Sequence, residues 1–304
     1  MVNRWSRCRQ VLLLFAATHT WQISGWRTGL PASRAPRWGR SGGTGAAALK
    51  DWIVEGLERD TEAASSDSCA GEGDVMPAGG LRIGRLHVTP AGMDGSEANG
   101  ADGAIRLGNS QNGWGTGCHP TTRLCLEFLC DVLQGGEMVL DYGTGSGVLG
   151  IGALKLGASY VTAVDVDAEV LMTAQQNFEL NEVDQRAELL HVREVIPGCI
   201  IPGADVAVAN ILVGQLVRPS MVAALCSNIA PNGLLCLSGI RPEEVQSLKD
   251  AYDQWLEWED TYYEEAVPGP EGECYWGTWS RLVGRRKSAD TAKMLEEFSE
   301  LAVA

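Results

Sequence analysis

The chain has 304 residues, 45% hydrophobic and 21% charged, enough to bury the core of one ordinary domain with appendages. Its formal net charge of −15 argues against nucleic-acid binding through the bulk field of the protein. No apolar run approaches the roughly 20 residues of a membrane-spanning helix, and nine cysteines without a Cys-x-x-Cys pair, beside four scattered histidines, argue against a metal site.

In chain order, the first feature is compositional. Arg4, Arg7, Arg9, Arg27, Arg34, Arg37 and Arg40 precede Lys50 without one Asp or Glu, so all 39 acidic residues fall on the rest of the chain. An acid-free leader with Arg and Ser has the composition of an organelle transit segment, and the run Val11-Leu-Leu-Leu-Phe-Ala-Ala17 has the character of a signal-peptide core. Residues 1–45 are therefore read as a targeting leader to a plastid or mitochondrion; if the leader does not target, the expected location is cytoplasmic. Residues 46–112 are read as a degenerate or partly disordered N-terminal region, because Ala, Ser, Glu, Asp and Gly dominate it. Within it, Leu49–Leu57 fits a short helix and Leu81–Val88 alternates like one strand.

From Gly113 the pattern changes. A helix is predicted over Thr121–Leu133, then a strand at Met138–Leu140, a glycine-rich turn and a helix running to Lys155. A strand follows at Tyr160–Val164, a helix at Ala168–Leu180 and a weaker strand at Leu189–Val192. Asp205–Ala209 reads as a buried strand, Gln215–Asn228 as one helix, Leu234–Leu237 as a strand, and Pro242 as a helix start. Two closing strands fit around Leu256–Glu264 and Tyr275–Gly284, and residues 288–304 form a tail. Alternating strands and helices imply an α/β fold: a doubly wound, Rossmann-like sheet over residues 113–287, ending in an antiparallel hairpin, with its ligand at the carboxyl ends of the strands.

The chemistry concentrates on Val139-Leu-Asp-Tyr-Gly-Thr-Gly-Ser-Gly147 and Asp165. Gly143, Gly145 and Gly147 let the backbone approach a ligand at a helix N-terminus. Asp165, at the end of the next strand, is placed to accept the two hydroxyls of a ribose, and Asp141 to meet the amino group of a bound amino acid. The same glycines also match the dinucleotide fingerprint, as Gly145-Ser-Gly147-Val-Leu-Gly150. Asp141 before the turn, and Asn210 at the carboxyl end of a later strand, favour S-adenosylmethionine as the cofactor.

Four blocks carry a resemblance to a known family: Gly115-Thr-Gly-Cys-His-Pro-Thr-Thr122, Val139–Gly147, Val164-Asp-Val-Asp167 and Asp205–Leu212. They resemble the ribosomal protein methyltransferases of the PrmA type, which modify ribosomal protein eleven of the large subunit. The resemblance spans about Ile105 to Lys287. It implies a class I methyltransferase domain with cofactor contacts at Thr122, Gly143, Asp165 and Asn210, and methyl transfer to lysine or N-terminal amines. Asn210 is then the catalytic candidate, offering its amide oxygen to the attacking amine. His119 is expected to shape its loop, and Trp114 to cover the cleft. The implied partner is a ribosomal protein, with no direct nucleic acid and no membrane, and the chain is expected to be monomeric. The alternatives are an organellar lysine methyltransferase resembling that for the electron-transfer flavoprotein β subunit, and a non-catalytic cofactor-binding scaffold.

Overall fold

The computed structural model describes residues 79–92, 103–108, 117–192, 203–267 and 277–288. The chain divides into Met1–Thr44 and Gly45–Ala304, and every described residue belongs to the second unit. The leader, the helix expected at Leu49–Leu57, Trp114 and the tail beyond residue 288 lie outside the described residues.

Two sheets build the described body. A small one has the order β1 (Leu81–Ile83), β2 (Leu86–Pro90), β3 (Ala104–Leu107). The large one contains β4 (Met138–Tyr142), β5 (Tyr160–Asp165), β6 (Ala187–His191), β7 (Ala204–Asn210), β8 (Ile229–Ile240), β9 (Leu256–Val267) and β10 (Gly277–Arg286). Its order is β6-β5-β4-β7-β8-β10-β9: β6 through β8 are parallel, and β10 runs antiparallel to both β8 and β9. This is the doubly wound sheet with a closing hairpin that the strand–helix alternation implies.

Alternation along each strand divides the interior in two. Val139 of β4 joins a cluster with α1 (Pro120–Val132), α2 (Val148–Lys155) and Phe178 of α3 (Ala168–Leu180). Leu140 and Tyr142 join the cluster on the other face, with α4 (Val213–Leu216), α5 (Pro219–Ser227) and α6 (Val245–Tyr252). Burial on both faces is why these strands read as continuous apolar runs rather than alternating ones. The Cys226 and Cys236 side chains lie wholly inside, as small apolar groups do.

Three expectations change. Leu81–Val88 is not one strand but a hairpin, with Leu81 opposite Val88 and Ile83 opposite Leu86. Gly84 and Arg85 turn the chain while the alternation continues on both sides, so periodicity alone conceals the break. The helix expected at Gln215–Asn228 is divided into α4 and α5. Pro219 lacks the amide that would continue the ladder, and Arg218 before it is extended (ψ 133°). The strand expected to begin at Leu234 starts earlier, since β8 begins at Ile229, which pairs with Ala204, and carries an irregularity before Leu234.

The body also extends further toward the N-terminus than composition suggests. Ile83, Leu86, Val88, Ile105 and Leu107 lie in the same buried cluster as α1, α2 and β4. Strands of three to five residues separated by Gly- and Asp-rich text carry little periodic signal, yet their side chains complete one face of the core.

Candidate active site

The order of the large sheet reverses between β4 and β7, the place where open α/β sheets bind ligands. Tyr142 pairs with Ala209 there, so Gly143 and Asn210 leave adjacent strand ends side by side. The turn of Gly143–Gly147 then enters α2. The amides of Gly143 and Thr144 donate to the Val164 carbonyl at 2.8 and 2.9 Å, and that of Gly145 donates to Asp165 Oδ2 at 3.0 Å. Asp165 Oδ1 accepts from the Asp167 amide at 3.1 Å, and Asp167 in turn caps α3. Asp165 therefore already ties two strand-end turns together with its half-buried carboxylate.

Asp141 is fully buried. Its Oδ2 accepts from Thr144 Oγ1 at 2.7 Å and from the Gly150 amide at 2.9 Å, while Oδ1 is buried without a partner among the described residues. Through Oδ2 it clamps the turn to the first turn of α2 from inside. Burial pushes its pKa from 3.8 up to about 6, against the lowering effect of those two hydrogen bonds. Because the fold holds this proton more tightly than the unfolded chain does, the resulting stabilisation is complete below pH 3.8 and lost as the pH rises through about 6. The difference is about 3 kcal/mol. Relative to the wild type, Asp141→Asn should therefore gain stability between about pH 4 and about pH 7.5. Thermal melts of both proteins at the two pH values check this, and a constant offset between the two proteins contradicts it.

Thr122 and Asn210 are 88 residues apart in sequence, yet the Asn210 amide nitrogen reaches Thr122 Oγ1 at 3.5 Å. Thr122 does not cap its helix. His119 does, accepting from the Thr121 amide at 3.3 Å and lying 2.7 Å from Thr121 Oγ1 through Nδ1. The His119 ring meets Trp279 edge-on, with centroids 5.0 Å apart, and the Arg241 guanidinium lies 3.6 Å over the Trp279 ring. This contact set gives His119 the loop-shaping part and leaves the Thr122 hydroxyl to face Asn210.

Several contributors carry no local motif. Ile211 is held between two glycines in the left-handed region, Gly143 (φ 76°) and Gly239 (φ 85°). A Cβ on Gly143 would run into Ile211 Cγ2, and one on Gly239 into the Ile211 carbonyl. The Asn210–Ile211 turn is thereby packed directly on the glycine-rich turn. Val166 and Leu212 are large apolar residues left 63% and 53% exposed, immediately after Asp165 and just past Asn210. An apolar residue directly after a strand-end acid is the sequence signal that would have found Val166; nothing local marks Gly239. Among the described residues no three metal-ligating side chains come together.

A family model for "Ribosomal protein L11 methyltransferase (PrmA)" matches residues 81–266, more than half of the chain. The chain belongs to the PrmA family. The match starts at β1, in agreement with the core that β1–β3 share with the large sheet. A ribosomal protein L11 methyltransferase of Laribacter hongkongensis is 37% identical over 211 residues, covering 68% of this chain and 63% of that protein. One from Shewanella sp. (strain ANA-3) is 39% identical over 175 residues, covering 57% of this chain and 54% of that protein. The chain thus spans between about half and two thirds of the length of these relatives. The crystal structure of a ribosomal protein L11 methylase from Lactobacillus delbrueckii subsp. bulgaricus superimposes with a TM-score of 0.55 at 25% identity, over 67% of this chain and 95% of that one. With PrmA membership the dinucleotide reading of Gly145–Gly150 falls away. Gly150 serves packing, since a Cβ there would stand 2.9 Å from Phe178 Cζ and 3.2 Å from Asp141 Oδ2.

Proposed function

We propose that this PrmA-family chain is an S-adenosylmethionine-dependent protein methyltransferase acting on amines of ribosomal protein L11. The observation that carries the reading is the meeting of Asn210 with Thr122 beside the Gly143 turn, at the sheet's switch point. The residues present fit the cofactor. Asp165 offers carboxylate oxygens suited to ribose hydroxyls, exposed Val166 offers an apolar surface for a flat base, and the buried charge of Asp141 suits a cationic methionine end. When bound, S-adenosylmethionine supplies an activated methyl group that an amine nitrogen takes by in-line displacement.

Alignment is then the main work of the protein. The Asn210 amide nitrogen is occupied by Thr122, which leaves its oxygen as the acceptor for an N–H of the incoming amine and aims the lone pair. A lysine must first shed a proton, which costs about 4.6 kcal/mol at pH 7, whereas an α-amine near pKa 8 costs about 1.4 kcal/mol. A neutral acceptor such as Asn210 suits the unprotonated amine, and desolvation in a covered cleft lowers a lysine pKa further.

The remaining parts of the proposal rest on sequence. The acid-free leader of residues 1–45 supports delivery to a plastid or mitochondrion, residues 113–287 with β1–β3 form the catalytic body, and the chain acts as a monomer without binding nucleic acid or membrane. The test is transfer of a tritiated methyl group by the full chain to purified ribosomal protein L11, with the modified amine located by mass. Label on L11 is the expected result. An organelle extract labelled on another protein, with L11 unlabelled, rejects the substrate, and no label at all rejects the activity.

A further inference from the structure

The end of β5 and the helix α3 that follows it grip the glycine-rich turn from two places. Asp165, the last residue of β5, accepts from the Gly145 amide; toward the C-terminal end of α3, Asn177 Nδ2 donates to the next carbonyl of the turn, Ser146 O, at 2.8 Å. Asn177 is only 2% exposed, and its Oδ1 accepts from the Gly108 amide just past β3 at 2.9 Å. Its neighbour Phe178 closes the same contact, because a Cβ on Gly147 would stand 2.8 Å from Phe178 Cε2. One turn further, Asn181 takes both backbone groups of Arg106, accepting from its amide at 2.8 Å and donating to its carbonyl at 2.7 Å. Asn181 also donates to the Asn177 carbonyl at 2.7 Å. A buried side-chain amide with one end just past β3 and the other on the cofactor turn is a two-ended link, since leaving either of its own polar atoms unmet is costly.

Resting on the methyltransferase reading above, we propose that Asn177 is a positioning residue for the cofactor turn, and that through it the N-terminal sheet β1–β3 takes part in cofactor binding. Asn181 differs in one respect that matters. It fastens β3 to α3 with the same chemistry but, among the described residues, its side chain makes no hydrogen bond to the turn. The two asparagines therefore separate positioning from plain stability.

The experiment is calorimetric titration of the full-length protein with S-adenosylmethionine, together with hydrogen exchange of its backbone amides. Asn177→Ala should raise the cofactor Kd about tenfold, the loss of one buried hydrogen bond at the turn, while Asn181→Ala stays within about twofold despite a lower melting temperature. Asn177→Asp keeps the acceptor for Gly108 but sets a carboxylate oxygen against Ser146 O, so it too should bind about tenfold more weakly or worse. In the wild type, cofactor should slow exchange at Gly108 as well as at Gly145. That response at Gly108 should vanish in Asn177→Ala and survive in Asn181→Ala. Equal affinities for the wild type and both Asn177 variants overturn the proposal, as does an Asn181 variant weakened as much as they are. If the Asn177 variants do not fold, wild-type exchange decides, and an unresponsive Gly108 overturns it. A wild type that does not bind cofactor sinks the methyltransferase reading and this proposal together; one that binds while Asn177→Ala binds equally sinks this proposal alone.

Discussion

Asp165→Ala should weaken S-adenosylmethionine binding by at least about a hundredfold, close to 3 kcal/mol. Two contributions add. The carboxylate would lose its hydrogen bonds to the ribose, and bonds to a charged group are worth about 1.5–3 kcal/mol each. It would also release the Gly145 amide, which it holds at 3.0 Å, so the glycine-rich turn loses its outer tie. Asp165→Asn separates the two, because an amide oxygen can still accept from Gly145 while the charge is gone; its Kd should fall between those of the wild type and the alanine variant. Calorimetry on the full chain measures both. A Kd for Asp165→Ala within a few-fold of the wild type would remove the ribose role, and with it the reading of this strand end as the nucleoside site.

Asn210→Ala should do the opposite: cofactor affinity within about threefold of the wild type, and turnover down by about a hundredfold, the loss that follows when a reacting group is no longer aligned. The amide oxygen proposed to hold the amine disappears, whereas the Gly143 turn and Asp165 keep their own hydrogen bonds to β5 and to each other. Asn210→Asp sharpens the test. A carboxylate at this place favours the protonated amine, raising its pKa, so the variant should recover activity only at higher pH than the wild type. Single-turnover methyl transfer with saturating cofactor reads this effect apart from binding. An Asn210→Ala enzyme with wild-type turnover would transfer the role elsewhere, and Thr122, which Asn210 contacts, would be the next residue to vary.

Much of the fold was legible from local chemistry. The helix at Ala168–Leu180 appears with the predicted limits because Asp167 caps it and the amides of Glu169 and Val170 donate to that side chain. The strands β4, β5 and β7 are short apolar runs with Asp or Asn at or next to their last residue, and they lie within a residue or two of where composition places them. The failures have separate causes. β1 and β2 share one continuous alternation that hides the turn between them, β3 is too short to show a period, and the break at Pro219 is a single residue inside a helical pattern. The core that β1–β3 complete is distant in sequence, whereas the break at Pro219 is local.

The site divides in the same way. From the sequence by itself came the glycine-rich turn, the strand-end carboxylate Asp165, the blocks around Thr122 and Asn210, and the class of chemistry they imply, because each of these is a short motif whose residues act on their own neighbours. Only the tertiary structure decided which of them meet. Sheet order puts β4 beside β7 and so brings Asn210 to Gly143 and Thr122. Burial turns Asp141 inward to clamp the turn. The packing of α3 against β3 gives Asn177 a place at the turn, although no motif marks it. Motifs report what a residue can do; contacts across 69 or 88 residues are set by the closing of the sheet and its two cores, which places a side chain where that capacity is used.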